Sequence, residues 1–239
     1  MNSLPNLRVD WCAHAAAKYA VEHWHYSRSM PSSKNVYFGI WENKRFVGAL
    51  IFTLGCGGAT DGRRFGLRKA FECAELGRVA LRDHAHTVSK MVAIAMRLLK
   101  AQSPGLRLLV SYADPYHGHH GGIYQAMNWV YIGRTSSDKG YLDGKGKMHH
   151  SRVVSTSGWK KHFGVYKRCM RPVDAVRVVA LPGKHQYLYP LDALMRERIQ
   201  PLSKPYPKRR KDSSEPSAIH AEEGGAAPTP ALQLENEGA

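Results

Sequence analysis

Residues 107–133, RLLVSYADPYHGHHGGIYQAMNWVYIG, decide the fold. Leu108, Leu109 and Val110 form the short apolar run of a buried strand. Ser111, Tyr112 and Asp114 stand where that strand ends, and Pro115 with Gly118, Gly121 and Gly122 punctuates a loop. A helix is expected from about Gly122 to Met127. Trp129 to Ile132 then resumes the aromatic and β-branched pattern of a strand. In open α/β sheets, ligands sit beyond the carboxyl ends of the strands. The loop after Val110 is therefore where chemistry is expected first.

Moving toward the N-terminus, residues 88–101 place Val88, Met91, Val92, Ala95, Leu98 and Leu99 on one helical face. Residues 82–90 read as a loop and 72–81, ECAELGRVAL, as a strand. Before them, 55–68 is a Gly-rich basic loop. Residues 36–41 and 45–54, joined by Glu42, Asn43 and Lys44, carry a hairpin signal. LRVDW at 7–11 reads as a first strand. Residues 13–24 form a helix, with Ala13, Ala16, Ala17, Ala20, Val21 and Trp24 on one face. His25, Tyr26, Ser27 and Arg28 then fall on a loop at the helix end. The order strand, helix, hairpin, strand, helix, strand, helix, strand predicts α/β layers around a mixed sheet.

Toward the C-terminus, 134–150 is turn-rich and basic, and 152–180 alternates basic and aromatic residues. QYLYPL at 186–191 reads as a late strand and 191–199 as a short helix. From about 201, Pro, Ser, Gly and charge dominate, and 203–239 is expected to be disordered. The organisation read is thus a core over 1–133, a basic extension over 134–202 that completes the domain and contacts DNA, and a tail over 203–239.

The charge points to a partner. Net charge is +16, from 35 basic and 19 acidic residues. Residues 134–211 alone hold 19 basic against 5 acidic residues. Such a field favours a polyanion, and double-stranded nucleic acid fits it best. A basic solvated surface, or an acidic protein partner, is the blander alternative. No apolar run approaches the roughly 18–20 residues of a membrane span, so no membrane partner is expected. MNSLPNLRVD lacks the apolar core of a signal peptide. The cysteines at 12, 56, 73 and 169 show no C-x-x-C spacing, which reads as free thiols in a reducing cytoplasm.

Within the basic region, Arg152, Lys160 and Lys161 are expected to neutralise phosphates, while Trp159 or Phe163 stacks or wedges. The cluster KRRK at 208–211 reads as a nonspecific tether. His117, His119 and His120 beside Asp114 invite a metal reading, because two histidines and a carboxylate suit non-haem iron. Solvated loop histidines are the alternative. His25 is a base candidate near neutral pH, against a simple helix-capping loop. Glu75 and Arg78 either pair beside a substrate or face solvent on one side of the sheet.

The string IYQAMNWVYIG is similar to the "LY-x-x-x-G-F" segment of the acetyl-CoA-dependent N-acyltransferases, the GNAT superfamily. More closely, SYADP…GH-x-GG-IYQA-x-NW-x-Y-x-G resembles the Mom DNA-modification proteins of Mu-like phages. So do WHYSRSMP at 24–31, ELGRVAL at 75–81 and PGLRLLVSYADP at 104–115. The resemblance covers roughly residues 7–200. It implies a GNAT-like mixed sheet flanked by helices, in an enzyme that adds a carbamoylmethyl group to the exocyclic amine of adenine in DNA. Such an enzyme protects phage DNA from restriction in the cytoplasm of the infected bacterial host.

By the same resemblance Tyr124 protonates a leaving thiolate. The loop 82–90, with Thr87, Val88 and Ser89 where the superfamily carries G-x-G, holds the pyrophosphate of acetyl-CoA or another activated donor. That departure leaves a plain capped helix start as the alternative. The flipped adenine enters near Tyr26, Asp114 and Tyr124, and His25 and Ser27 join these three as catalytic candidates. The donor lies over splayed strands, against Glu75, Arg78, Val79, Thr87, Val88, Ser89, Ser111 and Tyr112. Iron, on His25, Asp114 and His119, is implied in the same way. Host factors enter as suppliers of the donor, and oligomeric state is not read from the sequence. Two rival functions are an N-acyltransferase acting on RNA or protein and a non-enzymatic DNA-binding protein.

Overall fold

The structure is a computed structural model that describes residues 4–54, 62–162 and 164–208, and among these it has twelve strands and four α-helices. The chain runs β1 (Leu7–Trp11), α1 (His14–Trp24), β2 (Asn35–Glu42), β3 (Arg45–Thr53), β4 (Cys73–Leu81), α2 (Val88–Gln102), β5 (Leu108–Ala113), α3 (Gly122–Ala126) and β6 (Val130–Arg134). It continues through β7 (Asp138–Leu142), β8 (Met148–His150), β9 (Trp159–His162), β10 (Val165–Arg168), β11 (Arg177–Leu181), β12 (His185–Pro190) and α4 (Ala193–Ile199). The α/β class and the mixed sheet expected from the sequence are what the structure has. Of the loop read at 55–68, residues 55–61 lie outside the described residues, as do Phe163 and the tail from 209.

The main sheet has seven strands in the order β1-β2-β3-β4-β5-β12-β6. Only β4 and β5 are parallel neighbours; the other pairs are antiparallel. The alternation along β5 explains why both faces need cover. Leu109 and Ala113 enter the core under α2 and α3, while Leu108 and Val110 enter the one under α4. α2 buries Met91, Val92, Ala95, Met96 and Leu99, the apolar stripe legible in its sequence plus Met96. α1 lays Ala17, Ala20 and Val21 on Ala49, Ile51 and Ala80 of the opposite face.

Two irregularities open the sheet where the site forms. First, the β3–β4 register steps from Ile51↔Arg78 to Phe52↔Leu76, so Gly77 is the extra residue of a bulge. Second, the β4–β5 ladder stops at Glu75↔Val110, although both strands run on to Leu81 and Ala113. Beyond that point the strands part.

The region expected as an extension is built differently. The chain leaves the sheet after Arg134 and returns as β12, inserted between β5 and β6. Residues 135–184 are therefore an insert carrying two small sheets, β11-β7-β8 and β10-β9. The first six residues of the expected disordered tail are also placed. Lys204 N donates to Tyr131 O at 2.8 Å, the Tyr206 hydroxyl to Trp129 O at 2.8 Å, and Gln125 Nε2 to Pro207 O at 3.2 Å. Tyr206 packs near Tyr187, and this aromatic contact is the physical reason the segment holds.

Candidate active site at the parted strands

Where β4 and β5 separate, the buried Leu76 carbonyl has lost its ladder partner. The Ser111 hydroxyl, fully buried, donates to it at 2.8 Å and lies 2.7 Å from the Tyr124 hydroxyl. A serine has one proton to give. With that proton on Leu76 O, Tyr124 donates to Ser111; with it turned, Ser111 donates to Tyr124. The Tyr124 ring stands between Trp129 and Tyr187, each with its ring centre 5.1 Å away. Burial pushes its phenol up to about 12, so it is a proton carrier at neutral pH. Sequence reasoning set a core tyrosine against a catalytic one; the ring is core and the hydroxyl is at the opening.

Asp114 ends β5 and is 7% exposed. Its Oδ1 accepts from Tyr116 N at 3.0 Å, and its Oδ2 lies 3.0 Å from Lys184 Nζ. Lys184 was not singled out from the sequence. It is a lone lysine in a Pro-Gly-Lys turn, and only the return of the insert brings it here. Lys184 is seated by its own backbone, whose amide donates to Thr135 Oγ1 at 2.9 Å and whose carbonyl accepts from Thr135 N at 2.9 Å.

The loop after α1 supplies the other wall. The Tyr26 ring sits 4.4 Å from His117, 5.3 Å from His119 and 4.3 Å from His25. Shielding from water raises the Tyr26 phenol, and the negative charge of Asp114 adds to it. Burial pulls His25 down to about 3, with Arg78 and then His119 pushing the same way. The Ser27 amide donates to His25 Nδ1 at 3.1 Å. The neutral ring therefore carries its proton on Nε2 and presents a donor, not the base expected from its sequence position. Ser27 Oγ, 2.8 Å from the same nitrogen, fixes the ring.

Glu75 and Arg78 face the opening. Burial raises Glu75, and Arg78, Lys184 and Arg152 oppose that rise in this order. Arg78 donates from Nε to Ser29 O at 3.0 Å and from Nη1 to Gly77 O at 2.7 Å, which ties the bulge to the α1 loop. Both are half-buried. Tyr112 accepts from Gln186 Nε2 at 3.1 Å, and Gln186 Oε1 accepts from Arg64 at 3.4 Å. Arg152, expected on DNA, carries charge felt at Glu75.

Thr87 caps α2 with extended backbone but no side-chain cap bond; Ser89 Oγ donates to Thr87 Oγ1 at 3.3 Å. Just upstream, Glu42 accepts from the amides of Ala85 and His86 at 2.8–3.0 Å. Val79 pairs with Leu50 across the sheet at the same level. Trp159, Lys160 and Lys161, expected on DNA, follow one another on β9, away from Tyr124 in sequence and on a separate sheet.

The iron reading does not fit. Asp114 Oδ2 already holds the Lys184 ammonium. Among the described residues no three His, Cys, Asp or Glu side chains gather as metal ligands.

The family model described as Mom protein family matches residues 6–208. "Methylcarbamoylase mom" of Escherichia phage Mu is 26% identical over 208 residues, 84% of this chain and 84% of that protein. Among solved structures, an acetyltransferase from Thermus thermophilus is 14% identical with a TM-score of 0.39, over 79% of this chain and 99% of that one. The IAA acetyltransferase from Bacillus cereus is 10% identical with a TM-score of 0.42, over 78% and 100%.

Proposed function

This chain belongs to the Mom protein family, and on that premise we propose that it is a transferase that modifies DNA, adding a carbamoylmethyl group to the exocyclic amine of adenine and so shielding the DNA from restriction. One observation carries the reading: a proton donor, Tyr124 on Ser111, and a carboxylate, Asp114 on Lys184, flank one loop, beside strands whose backbone ladder has ended. The name of the phage Mu relative supports the group transferred.

In this reading an activated acyl-type donor lies over the parted β4 and β5, toward Thr87, Val88 and Ser89 at the start of α2. The flipped adenine enters beside Tyr26, whose ring offers a stacking face. Asp114 takes the proton that the amine sheds as its new bond forms. Lys184 holds that carboxylate in place, its Nζ 3.0 Å from Oδ2. Tyr124 gives its proton to the departing group, and Ser111 then turns its own hydrogen from Leu76 O to the phenolate. Glu75 and Arg78 line the donor side. Attack on the carbonyl of an acetyl thioester yields an N-acetyl amine. A carbamoylmethyl product instead requires bond formation at the methylene carbon, with a leaving group on that carbon. The donor is accordingly an acetamide equivalent that carries its leaving group on the methylene carbon, so that group departs with the proton from Tyr124 as the nitrogen–carbon bond forms.

Nucleoside mass spectrometry of plasmid DNA from cells expressing the chain tests this. A heavier deoxyadenosine, lost in Asp114→Ala and Tyr124→Phe, is the expected result, and its mass separates acetyl from carbamoylmethyl. Unmodified deoxyadenosine beside folded, well-expressed protein refutes the reading. It leaves an N-acyltransferase for RNA or protein, or a DNA-binding protein.

A further inference from the structure

The hairpin β9–β10 stands outside the main sheet, and its two faces have different jobs. Its register pairs Trp159 with Arg168, Lys160 with Lys167 and Lys161 with Tyr166. Residues directly opposite share a face, and faces alternate along each strand. Trp159, Arg168, Lys161 and Tyr166 therefore lie on one face, and Lys160 and Lys167 on the other. Side-chain contacts agree with this division. Lys161 Nζ stands 5.9 Å over the Tyr166 ring. Lys160 Nζ turns the other way, donating to Arg152 O and, at 3.2 Å, to Val154 O. Lys160, read from the sequence as a phosphate contact, is thus a strut holding the hairpin to the body.

The remaining face is two cross-strand pairs, each an aromatic ring beside a cation. Trp159 is 53% exposed and Tyr166 is 66% exposed. Aromatic rings that the fold does not bury, spaced with fixed positive charge, match a ligand with flat bases and regular phosphates. The strut adds a position: it fastens the hairpin to Arg152, whose charge acts on Glu75 at the site.

We infer that the Trp159–Lys161–Tyr166–Arg168 face is where duplex DNA is gripped, Lys161 and Arg168 on phosphates and Trp159 and Tyr166 against bases next to the flipped adenine. The inference rests on the DNA-modification reading and names the part of the chain that holds the substrate.

Equilibrium binding of the full chain to a fluorescein-labelled unmodified duplex, with no donor, tests it separately from catalysis. Affinity is read by anisotropy between roughly 50 and 200 mM salt. In Lys161→Gln/Arg168→Gln the slope of log affinity against log salt falls by about 1.8, two contacts at about 0.9 each. In Trp159→Ala/Tyr166→Ala binding weakens about thirtyfold or more with the slope unchanged. Lys167→Gln, on the rear face, leaves both as in the wild type. Near-UV circular dichroism confirms folding, and Lys161→Arg/Arg168→Lys restores the slope. If the wild type binds and the front-face pairs bind like it, or Lys167→Gln acts like Lys161→Gln, the face is wrong while the DNA reading stands. If the wild type does not bind duplex, the DNA reading itself fails. Tighter binding to an RNA of equal length through the same four residues overturns duplex DNA as the partner.

Discussion

Lys184 Nζ and Asp114 Oδ2 lie 3.0 Å apart although 70 positions of chain separate them, and the carboxylate is nearly closed off from water while the ammonium is one-third exposed. A carboxylate so enclosed costs stability unless a cation stands at contact distance.

Removing the cation exposes this dependence. Lys184→Met is expected to lower the yield of modified deoxyadenosine at least tenfold and to destabilise the fold by about 1–3 kcal/mol, the cost of a shielded polar group left unsatisfied. Lys184→Arg retains most of both. Nucleoside mass spectrometry and urea unfolding measure the two effects; a fully active methionine variant removes Lys184 from the site.

Tyr124→Phe keeps the ring against Trp129 and Tyr187 and deletes only the hydroxyl. Activity is expected to fall by about a hundredfold or more, the usual worth of a positioned proton donor, with the melting temperature and DNA affinity near wild type. Ser111→Ala, by contrast, strands the buried Leu76 carbonyl and is expected to cost about 1–3 kcal/mol as well. Unchanged turnover in Tyr124→Phe assigns the phenol to packing.

The pH dependence of stability follows from His25. Its folded pKa, about 3, lies below the ordinary value of 6.5. Between those values the unfolded chain binds the extra proton, so stability falls as pH drops from about 6.5 toward 3. His117 and His119 are lowered in the same direction, also chiefly by burial. Thermal melts between pH 7 and 4.5 are expected to show a loss that is shallower in His25→Gln. Parallel curves for the two proteins contradict the buried, neutral imidazole.

Gly183 occupies a place where no side chain fits. A Cβ there falls 1.8 Å from the Thr135 carbonyl oxygen, a backbone atom that cannot swing aside. Gly183→Ala is expected to shift the neighbouring Lys184 and lose most activity, whereas Gly146→Ala, whose Cβ meets open space, is strained only through its positive φ. Comparing the two by melting temperature and product yield separates close approach from backbone conformation.

Much of this was legible along the chain because its signals are local. The stripe of α2, the hairpin turn at Asn43 and Lys44, and the polar loop after Val110 depend on neighbours within a few residues. Tyr26 and Asp114 stand out for the same reason, each on a loop flanking a periodic segment, whereas Tyr124, on the short helix α3, is singled out by the family resemblance. What escaped depends on distant pairing. Nothing within QYLYPL says that it inserts between β5 and β6, and without that placement Lys184 is an ordinary surface lysine. Lys160 and Lys161 look equivalent as letters; only the hairpin register gives them opposite faces. The tyrosine at 206 sits in a composition typical of disorder, and only Trp129 O and Tyr187 reveal why it is held.

The place of β12 also sets the order in which the protein is made. β5 and β6 leave the ribosome before the strand that joins them, and each presents an unpaired edge until residues 185–190 follow. At translation rates of 5–20 residues per second, the interval from Arg134 to Pro190 lasts roughly 3–11 s. During that time the nascent half-sheet is open to other chains. The site is not assembled either, because Lys184 arrives with the closing strand. A product truncated inside the insert therefore lacks both Lys184 and β12 and leaves β5 and β6 without the strand that joins them.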